Sequence, residues 1–216
     1  MCIRDRFSLT DFSPVYVSAN IEQEGYTQEE FSNLTANDLF KGFHGKQLSI
    51  GIKNLQWFNR FKKVVPNFGR GEDELIIFGV KLKGKRQKLK TFLFKCKGIS
   101  LNKESGCGYA FFEVEEIGSL YKSDTWWTKY NAVRNNRNIT RYYFSNGQKK
   151  ESVDLFSPRE LEILKLIIEH KNSVEISQLL NISTETVKKH RKNMIAKVGA
   201  KDMSALIYIC LQANVI

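Results

Sequence analysis

The spacing of apolar residues along the chain changes period near residue 155. Before it the apolar runs are short and of β type: FSLTDFS from Phe7, VYVSA from Val15, then LIIFGVKL, LKTFLFKCKGISL and GYAFFEVEEI. A Ser-Pro turn, Gly84-Lys85 and Gly106 punctuate them. Between the second and third runs the pattern is helical. Thr27 with Glu30 three residues on has the layout of a capping box, and NLQWFNRFKKVV reads as a further helix. Trp126, Trp127, Tyr130 and Val133 predict a helix at helical spacing, and ITRYYF a strand ahead of the Asn146-Gly147 turn.

After residue 155 the period is that of helices. Ser157-Pro158-Arg159-Glu160 supplies an N-cap, a proline at the first helical position and the glutamate of a capping box. Leu161, Ile163, Leu164, Ile167 and Ile168 then give that helix a broad apolar side. Asn172 with Glu175 opens a short second helix through Ile176, Leu179 and Leu180, and Asn181-Ile182 turns the chain into Ser183. A third helix is predicted from Ser183, its N-cap, to Gly199, the glycine that ends it. At about 100° per residue, Val187, Met194 and Val198 share one stripe with His190 beside it, while Glu185, Lys188 and Lys192 share the opposite one, flanked by Lys189 and Arg191. One face is apolar and the other cationic, the layout of a helix that sits in a DNA groove; a solvated surface helix reads the same way in isolation. A fourth helix follows from Asp202 to about Ala213. Short polar turns joining three helices, the last of them basic, predict a helix-turn-helix.

The segments SPRELEIL, VEISQLLNIS and ETVKKHRKNMIAKVGA resemble the DNA-binding domain of LuxR-type transcription regulators over residues 155–216. The resemblance implies sequence-dependent binding of double-stranded DNA by a dimer, with the third helix in the major groove. By position it makes Lys188, Lys189 and Lys192 groove readers, with Arg191 beside them, and Ser183 and Thr186 phosphate contacts. His190 matches the family's histidine, here read as a packing residue. Two positions depart from the family: His170 stands where a glycine is usual, and Val174 where a lysine is frequent. The last helix is more apolar than a small domain can bury on one side, so Leu206, Ile209 and Cys210 are expected at a homodimer contact, and the DNA site is expected to be an inverted repeat.

Two strands, a Gly-Tyr-Thr turn, helices and three antiparallel strands resemble a PAS sensor domain over residues 7–118. The expected fold class is therefore α+β, a PAS-like antiparallel sheet with helices followed by an all-α four-helix unit. The expected division is an unstructured or foreign N-terminus at 1–6, because MCIRDR fits neither strand nor helix; a PAS-like domain at 7–118; a linker or signalling segment at 119–152; and the helix-turn-helix domain at 153–216. PAS relatives hold a small molecule, haem or flavin, or a partner protein. Asn59-Arg60-Phe61 lacks the cysteine of a flavin-adduct helix, and His44 is the one candidate haem ligand in the helical middle. Core packing by Trp57, Phe58, Phe61 and the strand aromatics is the simpler reading, so no cofactor is expected and the sensed ligand is unknown.

The net charge of +11 over 216 residues suits a polyanionic partner. The last 64 residues hold only nine basic and seven acidic side chains, so the face of the third helix points to DNA more strongly than overall basicity does. Lys81, Lys83, Lys85, Lys88 and Lys90 are expected along the solvated edge of a hairpin. Cys2, Cys96, Cys107 and Cys210 have no metal-ligand spacing and suit reduced thiols in a cytoplasmic protein; no membrane segment or signal peptide is apparent. No HExxH, phosphate loop or GxSxG points to catalysis, and no aspartate cluster to a phospho-receiver. Three functions stay open: a ligand- or partner-gated transcription regulator with RNA polymerase as a further candidate partner, a module that docks on the transcription machinery, and a cofactor-bearing sensor. On the first, a fragment of residues 151–216 is expected to keep its sequence preference.

Overall fold

The computed structural model describes residues 2–8, 13–43, 49, 73–86, 88–100, 108–123, 126–134, 137–144, 151–152 and 154–216. The expectations for His44, residues 54–65, Gly106, Cys107 and Asn146-Gly147 lie outside them. The chain divides into two units. The first takes Met1–Gly118 and Asp124–Ser152, the second Ser119–Ser123 and Val153–Ile216.

The first unit is built on one antiparallel sheet. Its strands are β1 (Cys2–Ser8), β2 (Pro14–Tyr16), β3 (Glu74–Lys83), β4 (Leu89–Ser100), β5 (Gly108–Glu116), β6 (Trp127–Arg134), β7 (Arg137–Phe144) and β8 (Glu151–Ser152), in the order β2-β1-β5-β4-β3-β6-β7-β8. Between β2 and β3 come a 3-10 helix, Ala19–Glu24, and the short helices α1 (Gln28–Ser32) and α2 (Ala36–Lys41). The capping box of α1 forms as expected, Thr27 Oγ1 accepting from the Glu30 N–H at 3.0 Å and Glu30 Oε2 from the Thr27 N–H at 2.9 Å. Ile3, Val17 and Ile21 cluster with Tyr26, Phe31 and Val114, so the 3-10 helix and α1 cover one face of the β1–β5 pair. The element order is the PAS-like one.

Three features depart from the sequence reading. The N-terminal residues are not unstructured: β1 pairs along β5 from Cys2↔Glu115 to Ser8↔Tyr109. Its alternation was hidden because an inward position holds an aspartate. Asp5 is buried, accepts the Ser18 N–H at 2.8 Å and, through desolvation, has its carboxyl held above the usual range against the pull of the Ser18 bonds.

Residues 126–133 are a strand and not a helix. β6 runs antiparallel to β3 from Glu74↔Asn131 to Phe78↔Trp127, and β7 continues the sheet from Trp127↔Phe144 to Arg134↔Arg137. Trp127, Thr128, Lys129 and Tyr130 are all buried, so both faces of β6 are covered and no period of two survives in the sequence. Trp127 stacks on Phe78 with ring centroids 4.3 Å apart, and the Tyr130 hydroxyl donates to Asp73 at 2.8 Å. Residues expected to form a linker thus widen the sheet on the β3 side. β3 lies between β4 and β6, so only its hairpin end runs past the neighbouring strand. β6 pairs only as far as Phe78, and the lysines fall beyond the bulge at Gly79, whose φ is 88°.

The second unit contains α3 (Pro158–Ile168), α4 (Ser173–Leu179), α5 (Thr184–Val198) and α6 (Met203–Gln212). Ile163, Leu164, Ile176, Val187, Met194, Val198, Leu206 and Ile209 form its buried core, each worth about 1.5–3 kcal/mol of transfer free energy. No helix among the described residues is long and apolar enough to cross a membrane.

Candidate nucleic-acid interface

All four helices of this unit start and stop on local hydrogen bonds. Ser157, Asn172, Ser183 and Asp202 are the N-caps, each accepting from backbone amides of its first turn. The C-termini share one device, in which a left-handed residue lets its own amide and the following one return to the last turn. His170 and Lys171 donate to Ile167 and Leu166, Asn181 and Ile182 to Gln178 and Ser177, Gly199 and Ala200 to Ala196 and Ile195, and Asn214 and Val215 to Leu211 and Cys210. The left-handed residues have φ of 63°, 51°, 74° and 49°. Glycine or asparagine fills three of these positions; His170 fills the fourth, which explains why the family favours glycine there.

Two arginines join α4 to its neighbours. Arg159 donates from Nη2 to the Leu180 carbonyl at 2.6 Å, holding the end of α4, and from Nη1 to Glu162 at 2.7 Å. Arg191, on α5, donates from Nη1 to Ser173 Oγ at 2.9 Å at the start of α4. Thr184 Oγ1 adds a 3.2 Å bond to Ser177 Oγ. The turn between α4 and α5 is therefore fastened from both sides.

The sequence-predicted residues separate on this frame. Val187, Met194 and Val198 point into the core and are fully buried, with His190 half-buried beside them. Lys188, Lys189 and Lys192 are exposed on the opposite side. Lys188 forms an i,i+3 ion pair with Glu185 at 2.6 Å, both ends largely in solvent, where such pairs contribute about 0–1 kcal/mol and yield readily to a phosphate. Ser183 and Thr186 lie at the N-terminus of α5, where the Ser183 oxygen accepts the Thr186 N–H at 3.0 Å and the two hydroxyls are 2.8 Å apart. Arg191 is turned toward α4 and away from the lysine stripe. Its place here is that of a helix-to-helix fastener.

Asn193 was missed. It is exposed one turn beyond Lys189, and its amide has the donor and acceptor pair that can read adenine. On a helical wheel it falls beside Lys189, but it carries no charge to mark it in the sequence. Lys197, also exposed on α5, is drawn toward α3, 3.6 Å from Glu160 and over the Phe156 ring.

The expected dimer residues need correction. Leu206, Ile209 and Cys210 are 0% exposed within the unit, because they are the side of α6 that closes the core under α5. Leu211, 53% exposed, and the half-buried Ile207 and Tyr208 are the outward apolar residues of α6. Burial also pushes the Cys210 thiol up to about 12, as it does that of Cys96.

Residues 154–210 match the family of bacterial regulatory proteins, luxR family. Among curated proteins, the transcriptional regulatory protein MctR of Rhizobium johnstonii is 33% identical over 82 residues, 34% of this chain and 38% of that protein. The transcriptional regulatory protein TdiR of Thauera aromatica is 36% identical over 71 residues, 32% of this chain and 31% of its own length. The transcriptional activator protein ExpR of Dickeya dadantii is 38% identical over 71 residues, 33% of this chain and 28% of its own. The chain thus spans about a third of the length of these curated relatives. Among solved structures, the VqmA dimer of Vibrio cholerae, described as a LuxR-type receptor, aligns over 99% of this chain and 83% of its own at 14% identity and a TM-score of 0.35. The family match, the tightly capped helices and the lysine stripe coincide in one stretch, and the C-terminal domain of this chain belongs to the luxR family of bacterial regulatory proteins.

Proposed function

We propose that the chain is a sequence-specific, DNA-binding transcriptional regulator that acts as a homodimer in the cytoplasm, and that its PAS-like half senses a small molecule or a partner. The observation that carries this reading is the division of α5 into a fully buried stripe, Val187, Met194 and Val198, and an exposed stripe that presents Lys188, Lys189, Lys192 and Asn193 together. The long donors of such a stripe reach phosphates and the acceptor edges of guanines, while the asparagine supplies an adenine reader. Ser183 and Thr186, at the positive end of the α5 dipole, suit a phosphate. The outward residues of α6, Ile207, Tyr208 and Leu211, supply an apolar patch for a two-fold contact, which would place two α5 helices about one DNA turn apart.

Selection of bound duplexes from a random pool by the full chain tests the reading. Enriched sites with dyad symmetry support it. Recovery of unenriched DNA at low salt would leave a docking module for other proteins as the better account.

A further inference from the structure

The second unit contains five residues that do not adjoin it in sequence. Ser119–Ser123 lies between β5 and β6 of the sheet, yet it packs with residues 153–216. It does so at the C-terminal end of α5. The Lys122 N–H donates to the Gly199 carbonyl at 2.8 Å, the Lys201 N–H donates to the Leu120 carbonyl at 2.9 Å, and Tyr121 faces Ala200 in an antiparallel bridge. Tyr121 is only 5% exposed, and its hydroxyl is hydrogen-bonded to the Ser123 side chain.

Gly199 is shaped for this neighbour as well as for the helix end. A Cβ there would stand 2.5 Å from the Ser123 Cβ and 2.9 Å from the Tyr121 Cζ, closer than real Cβ contacts come. The positive φ alone would be met by asparagine, as at Asn181 and Asn214; the close approach admits glycine only. The segment is also held short at both ends. Ile117, fully buried and donating to the Thr91 carbonyl at 2.8 Å, precedes it by a single glycine, and buried Trp126 is the third residue after Ser123.

We propose that Ser119–Ser123 is a clasp on the end of the recognition helix, with Tyr121 a positioning residue for DNA binding. The proposal rests on the reading of α5 as the DNA reader. In it the backbone bonds of Lys122 and Leu120 and the Tyr121 ring hold the C-terminal end of α5 within the second unit. It also means that a fragment of residues 151–216 lacks part of its own structure, so sequence preference is not expected to survive that cut unchanged.

The test uses the full chain and a duplex selected by the wild-type protein, so that failure of the wild type to select any sequence counts against the DNA-binding reading and not against the clasp. Tyr121→Ala is expected to weaken binding to the selected duplex by about tenfold or more while binding to a scrambled duplex, which depends on charge, stays within about twofold. Tyr121→Phe, which keeps the ring, is expected to retain both. If Tyr121→Ala lacks the helical circular dichroism of the folded protein, Tyr121→Leu carries the same comparison. Wild-type affinity for the selected duplex, or an equal loss on both duplexes, would overturn the proposal, since a merely structural residue lowers both in proportion to the folded fraction.

Discussion

Arg191 and Ser173 are joined by a 2.9 Å hydrogen bond from guanidinium to hydroxyl, across the two helices that define the helix-turn-helix. A cation on α5 is thereby engaged with the protein itself. Arg191→Ala and Ser173→Ala should each lower stability, with a coupling of about 0.5–1.5 kcal/mol in a double-mutant cycle measured by denaturant unfolding. Additive losses would mean that the bond contributes nothing, and would return Arg191 to the DNA surface.

His170 occupies the left-handed position that ends α3, with φ of 63°. A side chain with a Cβ is strained there by roughly 1 kcal/mol relative to glycine. His170→Gly should therefore raise the unfolding free energy by about 0.5–1 kcal/mol, with no change in DNA affinity. Unfolding in urea checks it, and a loss of stability would show that the imidazole makes a contact worth more than the strain.

The outward and inward residues of α6 should behave oppositely. Leu211→Glu, at an exposed position, should leave the fold intact and reduce self-association in sedimentation. Leu206→Ala, in the core, should cost about 2–5 kcal/mol of stability. A Leu211→Glu protein that sediments as the wild type does, on DNA and off it, would place the dimer contact elsewhere.

Much of the C-terminal unit was legible in sequence because its signals are local. Ser157, Asn172, Ser183 and Asp202 lie at the N-cap positions assigned from the pattern, and Val187, Met194 and Val198 point inward as helical spacing requires. What escaped was non-local or polar where apolar was expected. Trp127 to Tyr130 gave no alternation, being covered on both faces, and Asp5 broke the pattern of β1 from the inside. Leu206 and Leu211 look alike in sequence, and only the packing of α6 under α5 tells which is free to meet a partner. Nothing in the sequence joins Tyr121 to Gly199, because they are distant along the chain and meet only in the folded second unit.

Asp5 gives a pH-dependent test of the N-terminal strand. Its carboxyl is held above the usual 3.8 chiefly by desolvation, so the folded state binds a proton more tightly than the unfolded state does. Stability is then lost as pH rises from the unfolded value of 3.8 through the raised folded value, and the cost is fully present at neutral pH. Asp5→Asn keeps an oxygen for the Ser18 amide and removes the charge. It should be more stable than the wild type at pH 7 and lose that advantage below about pH 4. A difference in stability that does not change with pH would mean that the carboxyl is well solvated and that Cys2–Ser8 is not held in the sheet in solution.

The division of α5 into a core stripe and a reading stripe is tested most directly by the affinity of the full chain for its selected duplex across a salt series, with Lys188→Ala, Lys189→Ala and Lys192→Ala beside the wild type. For the wild type, log affinity should fall linearly with log salt, by about 0.9 for each phosphate neutralised. A lysine on a phosphate should flatten that slope by about one when removed, and a lysine on a base should cost about 1–3 kcal/mol and relax the preference at one position. Three single variants that all keep wild-type affinity and slope would contradict the assignment of this face to DNA.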